Sequence, residues 1–234
     1  MCYHYSMKRS RLYFILSNTF IFATSIVAIP VTLTVGSRAS RLDNLAGIEY
    51  WQHIATFTIL SNIFLALVAL VAIFVGLKKS HKTLPQSFLT LYLAAASAAM
   101  VTCLTVVLFL APMRAINGKN YFDMLLEPMF FLHFLNPILS AITFVLFTSN
   151  DKLPKFSKFI ATLPIIIYAI PYFLNVVIFH TWPDFYGITF GGRYFLIPVV
   201  FVAFWLLSFI IAITLIKLRQ KFSSINRQNM LESK

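Results

Sequence analysis

The sequence predicts an all-α polytopic membrane protein, a six-transmembrane-helix bundle with both termini cytoplasmic, and three observations carry that prediction. Only 11% of the 234 residues are charged while 59% are hydrophobic, and the mean hydropathy of +0.83 lies outside the range of soluble domains. Apolar runs long enough to cross ~30 Å of hydrocarbon as a helix can be marked off six times. The basic residues, finally, alternate between successive connections.

The runs cover about 12–35, 53–77, 87–112, 129–149, 159–180 and 194–217. The first follows Lys8, Arg9 and Arg11 and precedes a small-residue stretch, GSRAS at 36–40. Its apolar core of about two dozen residues is too long for a signal peptide, so it reads as an uncleaved anchor. The second opens on HIATFTILSNIF, which carries His53, Thr56, Thr58, Ser61 and Asn62 into an otherwise apolar segment. Pro85 and Pro154 stand just ahead of the third and fifth runs, where a missing N–H does no harm. Pro137, Pro164, Pro171 and Pro198 fall inside the fourth, fifth and sixth, where each removes a backbone bond and opens space between helices. No internal repeat is visible, which weighs against the duplicated plan of many secondary transporters. The chain reads as one domain over 1–234.

Fourteen of the 19 Lys and Arg residues fall at the N-terminus, after runs two and four, and at the C-terminus, and five in the alternate loops, as Arg38, Arg41, Arg114, Lys119 and Arg193. The positive-inside rule then sets both termini in the cytoplasm, which an even number of spans also requires. The net charge of +12 is explained by this topology; no basic face suited to nucleic acid exists. The outer loops are longer and hold five of the seven acids, Asp43, Glu49, Asp123, Glu127 and Asp184, with Tyr50, Trp51, Tyr121, Trp182, Tyr186 and Tyr194 at the outer interface. Cys2 and Cys103 stand at different depths, so neither a disulfide nor a metal framework is implied.

At ~1.5 Å per residue, Thr58 lies ~8 Å and His133 ~6 Å below the outer edges of their runs, one level on two co-directional helices. Ser61 and Asn62 follow Thr58 by three and four residues and share its face, and Asn136 stands three residues after His133. Asn175 and His180 add polarity near the outer end of run five, and Thr102 and Thr105 in run three. Polar groups in hydrocarbon turn inward, so the pattern predicts a pocket near the outer leaflet. Each residue also has a structural alternative. A membrane-helix Ser or Thr commonly bonds its own i−4 carbonyl, an Asn joins helices, and a His one turn below the interface reaches back to water.

FTILSN at 57–62, FLHFLNPIL at 131–139 and HTWPDFYG at 180–187, with the order of spans, resemble the androgen-induced membrane hydrolase family, most closely its bacterial multipass relatives. The resemblance implies hydrolysis of fatty acid esters of hydroxy fatty acids, with Thr58 as nucleophile and His133 as its partner. It implies no cofactor or metal, membrane lipids as surroundings, a lipid ester as substrate, and a bacterial plasma membrane as location. In such chemistry neutral His133 takes the Thr58 proton, and an acyl-enzyme forms and is hydrolysed. Ser61 or Asn62 donates to the oxyanion, Asn136 or a backbone carbonyl orients the imidazole, and Asn175, His180 and Trp182 contact substrate. The alternative on the same residues is a non-catalytic protein that binds or transports a small molecule or lipid.

Overall fold

The computed structural model describes residues 2–36, 50–78, 84–148, 153–189 and 191–232. The predicted outer loop over 37–49, with Arg38, Arg41, Asp43 and Glu49, lies outside the described residues, as do Lys79, Lys82, Lys152 and Lys234. Among the described residues all regular structure is helical, and six helices are long and apolar enough to cross a membrane. These are α1 (Cys2–Val35), α2 (Phe57–Leu77), α3 (Gln86–Ile116), α4 (Phe130–Phe147), α5 (Ser157–Ile178) and α6 (Ile197–Glu232). One end of the bundle, the loop end, carries the connections over 50–56, 117–129 and 179–193. The other, the terminal end, carries the Cys2 end of α1 and the Glu232 end of α6.

Packing follows residue size. The alanine-rich centre of α3, with Ala94, Ala95, Ala96, Ser97, Ala98 and Ala99 all buried, lets neighbours approach on every side. Its most apolar stretch is 67% buried against 22% for that of α6, so α3 is the axis and α6 the periphery. α1 meets its neighbours through Phe14, Asn18, Ile21, Ser25, Ala28 and Thr32, a seam spaced alternately by four and three residues. The polar members act as glue: the Tyr92 hydroxyl donates to Asn18 Oδ1 at 3.0 Å. α1 and α2 touch at Gly76, whose carbonyl accepts from Arg11 Nε. A Cβ there would stand 2.7 Å from Ile15 Cγ1. At the terminal end Arg219 is buried, with Nε donating to the Thr148 carbonyl and hydroxyl, each at 2.9 Å, and its guanidinium 5.6 Å from the Phe144 ring centroid.

The second span starts four residues later than the apolar run suggests, so Thr58 stands one residue inside it and not five residues below its outer edge. Tyr50–Ala55 forms a 3₁₀ turn containing His53, and Thr56 caps α2 by accepting from Ile59 N at 3.4 Å and donating to the His53 carbonyl at 2.7 Å.

Three spans change helical pitch near the loop end. Val106–Leu110 in α3, Phe130–Leu135 in α4 and Leu174–Ile178 in α5 are π-helical. The first two lie just ahead of Pro112 and Pro137, and the cause is covalent. In π register Ala111 N returns to Val106 O and Asn136 N to Phe131 O. The next carbonyls, Val107 and Leu132, would need N–H groups from residues 112 and 137, which as prolines have none. Each is satisfied by a side chain instead: Tyr121 Oη donates to Val107 O at 2.9 Å, and Asn62 Nδ2 to Leu132 O at 3.0 Å. In α3 and α4 the prolines thus accompany a local widening of the helix, and two polar side chains repair the backbone.

Candidate functional site

The first turn of α2 leaves backbone N–H groups without helical partners. One of them, Phe57 N, donates to the Tyr186 hydroxyl at 2.8 Å, which draws the loop after α5 over the end of α2. Tyr168 Oη on α5 donates to Ala55 O at 2.9 Å and completes the junction. Phe57, Tyr168, Tyr172 and Tyr186 form a chain of ring contacts, with centroids 5.2, 5.6 and 5.6 Å apart. Asp184 fixes the loop itself. Its carboxylate accepts from Tyr172 Oη at 2.6 Å, Thr189 N at 2.8 Å and Ile188 N at 3.0 Å. Burial works to raise the pKa of this carboxyl, but those hydrogen bonds to its charged form outweigh it and hold the pKa below the ordinary value. Burial moves the Tyr186 hydroxyl the other way, up to about 12, against the partial opposition of hydrogen bonds from Phe57, Tyr168 and Thr58.

Beneath this roof lies a narrow cavity of ≈ 40 Å³, open in part to the outside. Its walls are Phe57 and Thr58 of α2, Val101, Thr102, Thr105, Val106 and Leu110 of α3, Ile165 and Tyr168 of α5, Tyr186 and Ile188 of the loop, and Phe201 and Phe204 of α6. None of these carries a formal charge. Five carry a hydroxyl, and that of Thr105 is buried without a hydrogen-bond partner. A dry wall with a few hydroxyls suits an apolar molecule that has one or two hydrogen-bonding atoms.

Of the residues singled out from the sequence, Thr58 lines the cavity, and its side chain stands beside the Tyr186 hydroxyl. Ser61 bonds Thr102 Oγ1 at 3.0 Å and the Thr58 carbonyl at 3.1 Å, one layer behind the wall. Asn62 donates to Thr58 O at 2.9 Å and to Leu132 O, so it joins α2 to α4, while its own Oδ1 is buried without a partner. His133, adjacent to that bridge, is buried and outside the cavity lining; its Nδ1 pairs with Met124 O at 2.7 Å. Because a carbonyl only accepts, Nδ1 carries the proton. Asn136 turns to α1, donating to Ser25 Oγ at 3.1 Å and accepting from Thr24 Oγ1 at 2.8 Å. Asn175 organises the end of α5, donating to Pro171 O at 2.8 Å and accepting from Thr181 Oγ1 at 2.7 Å. His180 is exposed at φ 53° with Nδ1 3.1 Å from Val176 O, and Trp182 is half-buried against the core.

Tyr168 and Tyr186 are the site residues that sequence reasoning did not select. Tyr186 reads there as part of an aromatic belt, and the one signal for its role was its place in DFYG, where an Asp followed three residues on by Gly favours a turn. Asp123 and Arg114, paired at 3.3 Å and both nearly buried, hold the loop bearing Met124 against α3. Among the described residues no three His, Cys, Asp or Glu side chains gather as a metal site. Comparison of the chain with protein-family models, with curated proteins and with solved structures finds no match.

Proposed function

We propose that this multipass integral membrane protein binds a lipid or a comparably apolar small molecule in the cavity under the Tyr186 roof. The observation that carries the reading is the wall itself: apolar rings and aliphatic groups surround the Thr58 and Tyr186 hydroxyls, which stand side by side, and Thr105 in the same wall is left without a partner. A buried hydroxyl without a bond is costly, and a ligand acceptor or donor relieves it. The test is binding of a tritiated monoacylglycerol to the purified protein beside a Thr105→Val variant. Weakening by about tenfold, the value of one good hydrogen bond, is expected. Equal binding by both proteins, or none by either, refutes the reading.

A second reading, hydrolysis of a lipid ester at Thr58 with His133 as base, is favoured by one specific contact. With its Nδ1–H held by Met124 O, the His133 ring presents Nε2 as the lone-pair nitrogen, the tautomer a general base needs. Asn62 supports it further by tying the Thr58 turn to Leu132, the residue beside His133. In this reaction Nε2 takes the Thr58 Oγ proton, Oγ attacks the ester carbonyl, the alcohol leaves with that proton, and water then releases the acid. Fluorophosphonate labelling separates the readings. Labelling lost in both Thr58→Ala and His133→Ala supports hydrolysis, whereas equal labelling of all three proteins leaves binding alone.

A further inference from the structure

A second hollow opens on the flank of the bundle between α5 and α6. Its walls come from Ile165 to Leu174 on one side and from Ile197 to Trp205 on the other, and every side chain in it is apolar. It holds ≈ 590 Å³ of space and is open sideways. Two of its residues, Ile165 and Phe201, also line the Thr58 cavity, so the flank groove and the cavity share a wall. Along α5 the groove spans ten residues, a rise of ~14 Å, about half of the ~30 Å hydrocarbon core. It runs from mid-membrane toward the loop end, the course of an acyl chain in one leaflet.

The two hollows differ in chemistry in a way that orients an occupant. Hydroxyl groups stand only in the cavity, and neither hollow is lined by Lys, Arg, His, Asp or Glu. An anionic or zwitterionic headgroup there would be a desolvated charge without a partner, a heavy penalty. A neutral headgroup with hydroxyl or ester oxygens meets Thr58, Thr105 and Tyr186 and keeps its tail in hydrocarbon.

Building on the binding reading above, we infer that the ligand is a neutral single-chain lipid, which reaches the cavity from the side between α5 and α6, past Ile165 and Phe201, and leaves its chain in the flank groove. The lipid does not leave the membrane on this route, and no opening of the Tyr186 roof is needed.

The experiment is photo-crosslinking of the full chain in nanodiscs with a monoacylglycerol carrying a mid-chain diazirine, with the matching free fatty acid run in parallel and labelled peptides mapped. Label is expected in α5 and α6 peptides of the groove, with the glycerol form exceeding the anionic form by about tenfold. Ala169→Trp, which fills the groove, is expected to lower binding of the tritiated monoacylglycerol by a similar factor; Val202→Phe serves the same end should the tryptophan variant not fold. Binding with label elsewhere than the groove, or binding unchanged in the filled variants, overturns the lateral route and leaves the binding reading intact. Equal labelling by the fatty acid overturns the neutral headgroup. Absence of any binding above the level of an unrelated membrane protein overturns the binding reading as well.

Discussion

Replacing Asn62 by leucine tests whether a side chain stands in for the backbone donor that Pro137 lacks. Leucine keeps the volume and removes the amide. The Thr58 carbonyl retains the Ser61 hydroxyl at 3.1 Å, so little is lost there. The Leu132 carbonyl loses its donor at 3.0 Å and has no N–H five residues on to replace it. Stranding a buried carbonyl costs ~1–3 kcal/mol, while interhelical hydrogen bonds in membranes average ~0.6 with a ceiling near ~1.7. Removing Asn62 Oδ1, itself buried without a partner, returns part of the loss. A net destabilisation of ~1 kcal/mol is expected. Pro137→Ala restores the missing N–H, so Asn62→Leu in that background should cost close to nothing, a coupling of ~1 kcal/mol. The assay is reversible unfolding in mixed detergent micelles in a Cys2→Ser background, read by reactivity of the buried thiol of Cys103. An Asn62→Leu cost that is the same with and without Pro137 refutes the reasoning.

The packing and the loop give two further expected outcomes. Gly76→Ala brings a methyl group to 2.7 Å from Ile15 Cγ1, the middle of a side chain already seated against α2, and is expected to destabilise by ~1–3 kcal/mol in the same assay; a neutral result would show that α1 and α2 are free to separate there. The Asp184 carboxyl has a folded-state pKa below its unfolded value, so its stabilisation of the roof is present above the unfolded pKa near ~4 and is lost as pH falls through the folded value. Exchange protection of the Ile188 and Thr189 amides, corrected for intrinsic rates, should fade across that acid range in the native protein. It should be absent at neutral pH in Asp184→Ala; protection that persists in the variant contradicts the role given to the carboxylate.

The sequence by itself determined the number of spans and their approximate limits. Those come from hydrophobic length and rise per residue, which need no knowledge of neighbours. Thr58, Thr102 and Thr105 were legible as inward-facing polar groups for the same reason. Only the tertiary structure decided which groups meet. Thr58 meets Tyr186, His133 meets the Met124 carbonyl, and Asn136 meets Ser25 and Thr24. Depth leaves the rotation of each helix about its axis open. His133 lies inside the π segment at Phe130–Leu135, whose wider turn changes the angle between successive residues, and so Asn136 leaves the face of His133 that regular spacing assigns it. The Tyr186 roof was hidden for a related reason. An interfacial tyrosine that floats among headgroups and one that caps a helix N-terminus look alike in sequence. They differ only once Asp184 folds the loop back onto Phe57.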